Sequence, residues 1–238
     1  MRSLTGFKAN LTVHWCMSLF IMFVFLGCVR LGYWQIQRGV EKKHMLNTHH
    51  SFILRPPIAW KPHHPLPAQY QRILVKGQWM PQVILLDNQP HEHQFGYHVL
   101  SPLLLKDGKV VLVDRGWVLG DMTRKSLPII TPPLGSLQVS GSVYFPSEKS
   151  WILGQVIEKE QPNLLVVEMV DTKVNSQFLH KSVYPFIIRI GEGEANAFVR
   201  DWPVVSMSPE RHYAYALQWF GLALVALVGY VSFIRHRV

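Results

Sequence analysis

The chain has 238 residues, 48% of them hydrophobic, and a formal charge of +9 from 24 basic and 15 acidic side chains. The basic residues are dispersed, and no Lys/Arg run is dense enough for a nucleic-acid patch, which argues against a nucleic-acid partner. The two cysteines, Cys16 and Cys28, fall in one apolar run, so the long polar middle holds together without disulfides and has no Cys-rich metal motif.

Residues 1–10 form a short tail containing Arg2 and Lys8. An uncharged run from Leu11 to Val29 follows, and a second runs from Tyr213 to Ile234. Each is close to the ~20 residues that a helix needs to cross ~30 Å of hydrocarbon. The predicted spans are 11–33 and 212–234, with a short tail at 235–238. Two spans place both termini on one side. The tails are basic and free of acids, which predicts both in the cytoplasm and the middle of the chain outside, in the periplasm. The first run is longer than a usual signal core and lacks a small-x-small cleavage site. Phe25-Leu26-Gly27-Cys28 resembles a lipoprotein box, but Phe25 and Leu26 fit it poorly.

Beyond the first span, Leu31, Trp34, Gln35, Arg38 and Lys42 recur at three and four residues, so the helix is predicted to continue. Trp34 suits the interfacial belt, and Arg30 and Arg38 can reach lipid phosphates. Arg55-Pro56-Pro57 and the Lys61–Pro65 stretch break any helix. Residues 34–71 are thus read as a helix extension followed by an irregular His/Pro-rich segment. The β-rich domain is assigned to 72–199, with a linker at 200–211. Strands are predicted at 72–79, 83–86, 97–105, 110–118, 137–145 and 186–190, and Asp107-Gly108 is a hairpin signal. Residues 164–169 are ambiguous and can open a helix towards Phe178. The expected fold is two transmembrane helices flanking a β-rich (α+β) domain, either a small antiparallel barrel or an open sheet.

The sequence lacks G-x-S-x-G, H-E-x-x-H, a phosphate-binding glycine loop and C-x-x-C, so no enzyme class is indicated. Twelve histidines are present. His44, His49, His50, His63 and His64 cluster before the first strand, where copper binding and a solvated loop are both open readings; His91 and His93 are similar. Arg115, in Asp114-Arg115-Gly116-Trp117, is read at a strand end, either binding an anion or a partner or hydrogen-bonding a turn. His212 is set apart by its position at the mouth of the second span. Tyr215, Ala216 and Trp219 share its helical face, and a neutral imidazole there can ligate haem iron. His14 opens the first span on the opposite side and cannot share that iron, whereas Arg30 is expected level with His212, where it can meet a propionate.

Four segments resemble the Surfeit locus protein 1 family of cytochrome c oxidase assembly factors. Leu31–Arg38 is similar to its L-G-x-W-Q-x-x-R, and Gly96–Leu103 to its G-y-h-v-l-T-P-l. Val111–Val118 is similar to v-L-V-N-R-G-W-v, with Asp114 where Asn is common. His212–Phe220 is similar to H-x-x-Y-A-x-x-W-F. The resemblance implies a non-enzymatic factor that helps build the haem-copper oxidase, at the step where haem a enters the catalytic subunit. The expected partners are that subunit, haem a synthase and the lipid bilayer. It implies a haem a contact at His212, expected as the iron ligand; Tyr215, Trp219 and Arg30 are expected around that haem, and Arg115, Trp117, Trp34 and Arg38 on a partner surface. A subunit scaffold without haem, or a membrane-anchored periplasmic metal-binding module, is the competing reading. The length and the lack of a transit-like leader predict a bacterial inner membrane.

Overall fold

The computed structural model describes the backbone of residues 4–133, 135–146, 156–191 and 198–235, and side chains from residue 15 onward. The chain forms two compact units, one of 1–47 with 204–238, the other of 48–203.

The first unit is helical. Helix α1 spans Leu4–Ile53 and α3 spans Pro209–Arg235. Both contain stretches long and apolar enough to cross a membrane. Their apolar side chains are largely exposed, including Phe23, Leu26, Leu224 and Val225, which is the pattern of helices solvated by lipid. Pro209 is the first residue of α3, where its missing N–H costs nothing. The two helices run antiparallel: Ser18 meets Tyr230, Gly32 meets Phe220 and Gly39 meets Tyr213. Gly32 and Gly39 lie against aromatic rings, and a Cβ at either would come within 2.8 and 2.5 Å of them. The predicted helix extension runs to Ile53 before the Pro56-Pro57 break.

Among its described residues, the second unit has nine strands: β1 (Ile58–Ala59), β2 (Arg72–Trp79), β3 (Val83–Leu86), β4 (Gly96–Leu104), β5 (Val110–Leu119), β6 (Ser136–Tyr144), β7 (Ile157–Gln161), β8 (Leu164–Val167) and β9 (Val183–Ile190). Helix α2 covers Thr172–Leu179. The hydrogen-bonded order is β1-β2-β6-β9-β5-β4-β3-β8-β7, with β2 also pairing β4. That extra pairing closes β2-β6-β9-β5-β4 into a five-stranded ring, and β3, β8 and β7 extend from it. The pairing is mixed rather than wholly antiparallel, because β5 runs parallel to β9 and β3 to β8.

Alternation along the strands gives the ring its interior. Ile73, Val75, Leu103, Val111, Val113, Val139, Val143, Phe186 and Ile188 form one buried cluster with Trp60. The opposite parity, with Leu100, Val110, Leu112 and Ile187, packs outward against β8 and Leu179. Residues 164–167 are strand rather than helix, because alternation sends Leu165 and Val167 into this second cluster and Leu164 and Val166 into another on the opposite face, beside β3. The helix starts later, where Asp171 accepts hydrogen bonds from the Lys173 and Val174 N–H groups. Strand β7 was not foreseen: its charged sequence is exposed, and pairing with β8 alone defines it.

Candidate functional site

His212 lies in the first turn of α3, and its side chain is buried, with 7% exposure. Its Nδ1 is 2.7 Å from Gln35 Oε1 on α1. An amide oxygen can only accept, so Nδ1 carries the proton and Nε2 the lone pair. Among the described residues, Nε2 is buried with no hydrogen-bond partner. A buried imidazole with one nitrogen fixed by a carbonyl and the other unpartnered has the chemistry of a metal ligand whose tautomer is set by an outer hydrogen bond. Ala216, one turn on, is buried as well, and Ala223 continues the small-residue stripe.

The other residues expected near His212 are placed differently from one another. Trp219 is half-buried and Tyr215 is exposed. Arg30 is also exposed, and it lies five residues before Gln35 on α1, about 8 Å along the helix axis. The helix register therefore puts Arg30 level with the Trp219–Phe220 turn and brings Gln35 to His212. Sequence reasoning placed Gln35 in the helix extension without giving it a role; the available signal was an uncharged polar residue on the face carrying Leu31 and Arg38. Trp34 is exposed, and Arg38 pairs with Glu41 at 2.6 Å on the helix surface.

Arg115 and Trp117 are not on the surface of the described protein, with exposures of 5% and 6%. Arg115 falls within β5 rather than at its end, and it shares the inward parity of Val111 and Val113. Its guanidinium donates to Thr131 O at 3.2 Å and Ser101 Oγ at 3.4 Å, and lies 4.7 Å from the Phe198 ring centre. Burial pushes its proton affinity down. Trp117 donates from Nε1 to Gln89 O at 2.6 Å. Between them, Gly116 adopts φ +118°, and a Cβ there would stand 2.6 Å from Val199 O. The backbone ladder Phe198 N to Arg115 O, Trp117 N to Val199 O and Val199 N to Trp117 O binds the returning chain to β5. The Arg-Gly-Trp segment is thus a clasp.

The histidine-rich segment does not converge. Among the described residues, no group of three His, Cys, Asp or Glu side chains could hold a metal ion. His49 packs edge-on against Tyr70. His91 lies beside Trp117 and 3.7 Å from Asp201. One histidine that sequence reasoning passed over, His98 in β4, is engaged with Asp114 at 3.1 Å.

A protein-family model described as the SURF1 family matches residues 22–224. The chain is 29% identical over 234 residues to a SURF1-like protein of Rickettsia felis, covering 93% of this chain and 98% of the relative. It is also 29% identical over 228 residues to a SURF1-like protein of Rickettsia conorii, covering 92% and 90%. A match that runs from the first span through the β-rich unit into the second span shows that the chain belongs to the SURF1 family.

Proposed function

We propose that this protein assists assembly of the haem-copper terminal oxidase, and that His212 contributes a haem a contact while haem enters the catalytic subunit. Family membership supports the assembly role. The observation that carries the haem contact is the buried Nε2 of His212, without a partner while Gln35 holds Nδ1. The donor chemistry fits: neutral imidazole is a haem-iron ligand, and the small Ala216 lies one turn from it on the same face. When bound, haem a would supply an iron atom that accepts the Nε2 lone pair. Gln35 fixes the tautomer and orientation, and Trp219 offers an aromatic wall. The basic, acid-free tails support a topology with both termini in the cytoplasm and the β-rich unit in the periplasm of a bacterial inner membrane. The protein acts on yield of assembled oxidase rather than by catalytic turnover, with the oxidase catalytic subunit as partner and haem a synthase upstream.

The test is the absorption spectrum of the protein purified from cells that make haem a. His212→Ala is expected to lower the haem retained while membrane insertion is unchanged, because one residue at the mouth of an apolar span adds little to insertion. Full haem content with the same spectrum would remove His212 from the reading and favour a scaffold for oxidase subunits.

A further inference from the structure

The outward face of the β-ring carries a second polar site, in a cavity of about 200 Å³ lined by Gln89, His98, Asp114, Tyr144, Glu168 and Arg189 together with apolar side chains. Asp114 and Arg189 are direct neighbours across the parallel β5–β9 pair. They nevertheless form no ion pair. Asp114 Oδ1 instead lies 3.1 Å from His98 Nδ1 and accepts from Gly116 N at 3.1 Å. Arg189 is stacked 3.7 Å from the Tyr144 ring centre and 5.2 Å from that of Trp202. Stacking holds the guanidinium plane but satisfies none of its five N–H donors. Among the described residues Arg189 has no hydrogen-bond acceptor, and its Nε is buried without one. The buried Nε is the unusual feature, because buried donors are nearly always paired, and the rest of the half-buried guanidinium faces the cavity.

We propose that this cavity is a carboxylate-binding site, in which Arg189 takes the anion beside His98, which Asp114 holds in place at the cavity wall. The guanidinium fork matches a planar carboxylate, which it can meet with two parallel hydrogen bonds. The volume suits a short-chain organic acid or a single acidic side chain and is too small for a drug-sized ligand. The negative charges nearby do not forbid the anion. Asp114 is already engaged by two donors, and burial, then the hydrogen bond and charge of Glu158, raise the proton affinity of Glu168. His49 lies within reach of the Arg189 charge and adds no negative charge. The site is independent of His212.

The experiment uses the full chain in detergent micelles with isotope-labelled histidine. The His98 ring resonances are identified by their loss in His98→Gln. Sodium propionate is expected to shift them with saturation, and sodium chloride at equal concentration is not. Arg189→Gln should weaken propionate binding about tenfold or more, as for loss of a charge-assisted pair. Arg200→Gln, at a residue that donates to Gly191 O away from the cavity, should leave it unchanged. A second arm replaces propionate with acetyl-Gly-Glu-Gly-amide: tighter binding of the peptide assigns the carboxylate to a polypeptide side chain, and weaker binding assigns it to a free acid. The proposal fails if propionate causes no saturable shift, if chloride reproduces the shift, or if Arg189→Gln binds as wild type. Should Arg189→Gln not fold, Arg189→Lys keeps the charge but loses the fork, and wild-type affinity in that variant also overturns the proposal.

Discussion

Gln35 and His212 are 177 residues apart in sequence and 2.7 Å apart in space, joined through Oε1 and Nδ1 across the two apolar helices. This contact leaves the other imidazole nitrogen available. Gln35→Leu removes the acceptor while keeping the helix. It is expected to lower haem retention about tenfold, the usual scale for losing an outer hydrogen bond to a metal-ligating histidine. The spectrum and haem content of the purified variant check this. Retention equal to wild type would mean that the contact is structural only.

Gly116→Ala should destabilise the β-rich unit. The backbone at φ +118° disfavours any Cβ, and the nearest atom is the carbonyl oxygen of Val199, which cannot swing away without breaking the clasp. A loss of about 2–3 kcal/mol is expected. Thermal unfolding of the full chain should show it as a lower midpoint, and an unshifted midpoint would mean that the segment after Phe198 yields freely.

Arg115→Ala is expected to reduce the amount of protein in the membrane. The guanidinium is buried among Thr131 O, Ser101 Oγ and the Phe198 ring, so truncation leaves a void and strands an acceptor. The cost is about 2–4 kcal/mol. Quantifying protein and assembled oxidase in the same membranes separates the roles: a normal level of protein with poor oxidase assembly would instead point to a partner contact.

Tyr184 donates from Oη to Asp107 Oδ2 at 2.7 Å. Burial, then this bond and the carboxylate charge, push its pKa from 10 up to about 12. The neutral phenol is favoured in the folded state, so its contribution is complete below pH 10 and is lost as pH rises towards 12. Denaturant midpoints measured across that window should fall more steeply for the wild type than for Tyr184→Phe. Parallel curves would remove the bond from the pH response.

Reporter fusions at Val238 and in the turn between Lys106 and Lys109 should signal opposite compartments, with Val238 in the cytoplasm. Matching signals would contradict the two-span topology.

Much of this architecture was legible in the sequence, because it rests on local periodicity. The uncharged runs before Val29 and after Tyr213, the hairpin at Asp107-Gly108 and the alternation in Arg72–Trp79 and Val110–Leu119 each report which side chains can leave water. The same alternation put Arg115 in phase with Val111 and Val113, although its charge suggested a surface. Closure of the ring through β2 and β4, the β5–β9 parallel pair and the exposed strand β7 were not legible. They arise from pairing between segments far apart in the chain, and nothing within a single segment encodes its partner. His212 stood out by residue type and position. That Gln35 rather than Arg30 meets it depends on the register of two helices, which close packing of Gly32 on Phe220 and Gly39 on Tyr213 sets. The cavity around Arg189 likewise exists only because β4, β5, β6 and β9 bring four distant residues to one face. The sequence determined which side chains seek lipid, core or water; the tertiary structure decided which polar groups find partners and which, like His212 Nε2 and Arg189 Nε, are left without them.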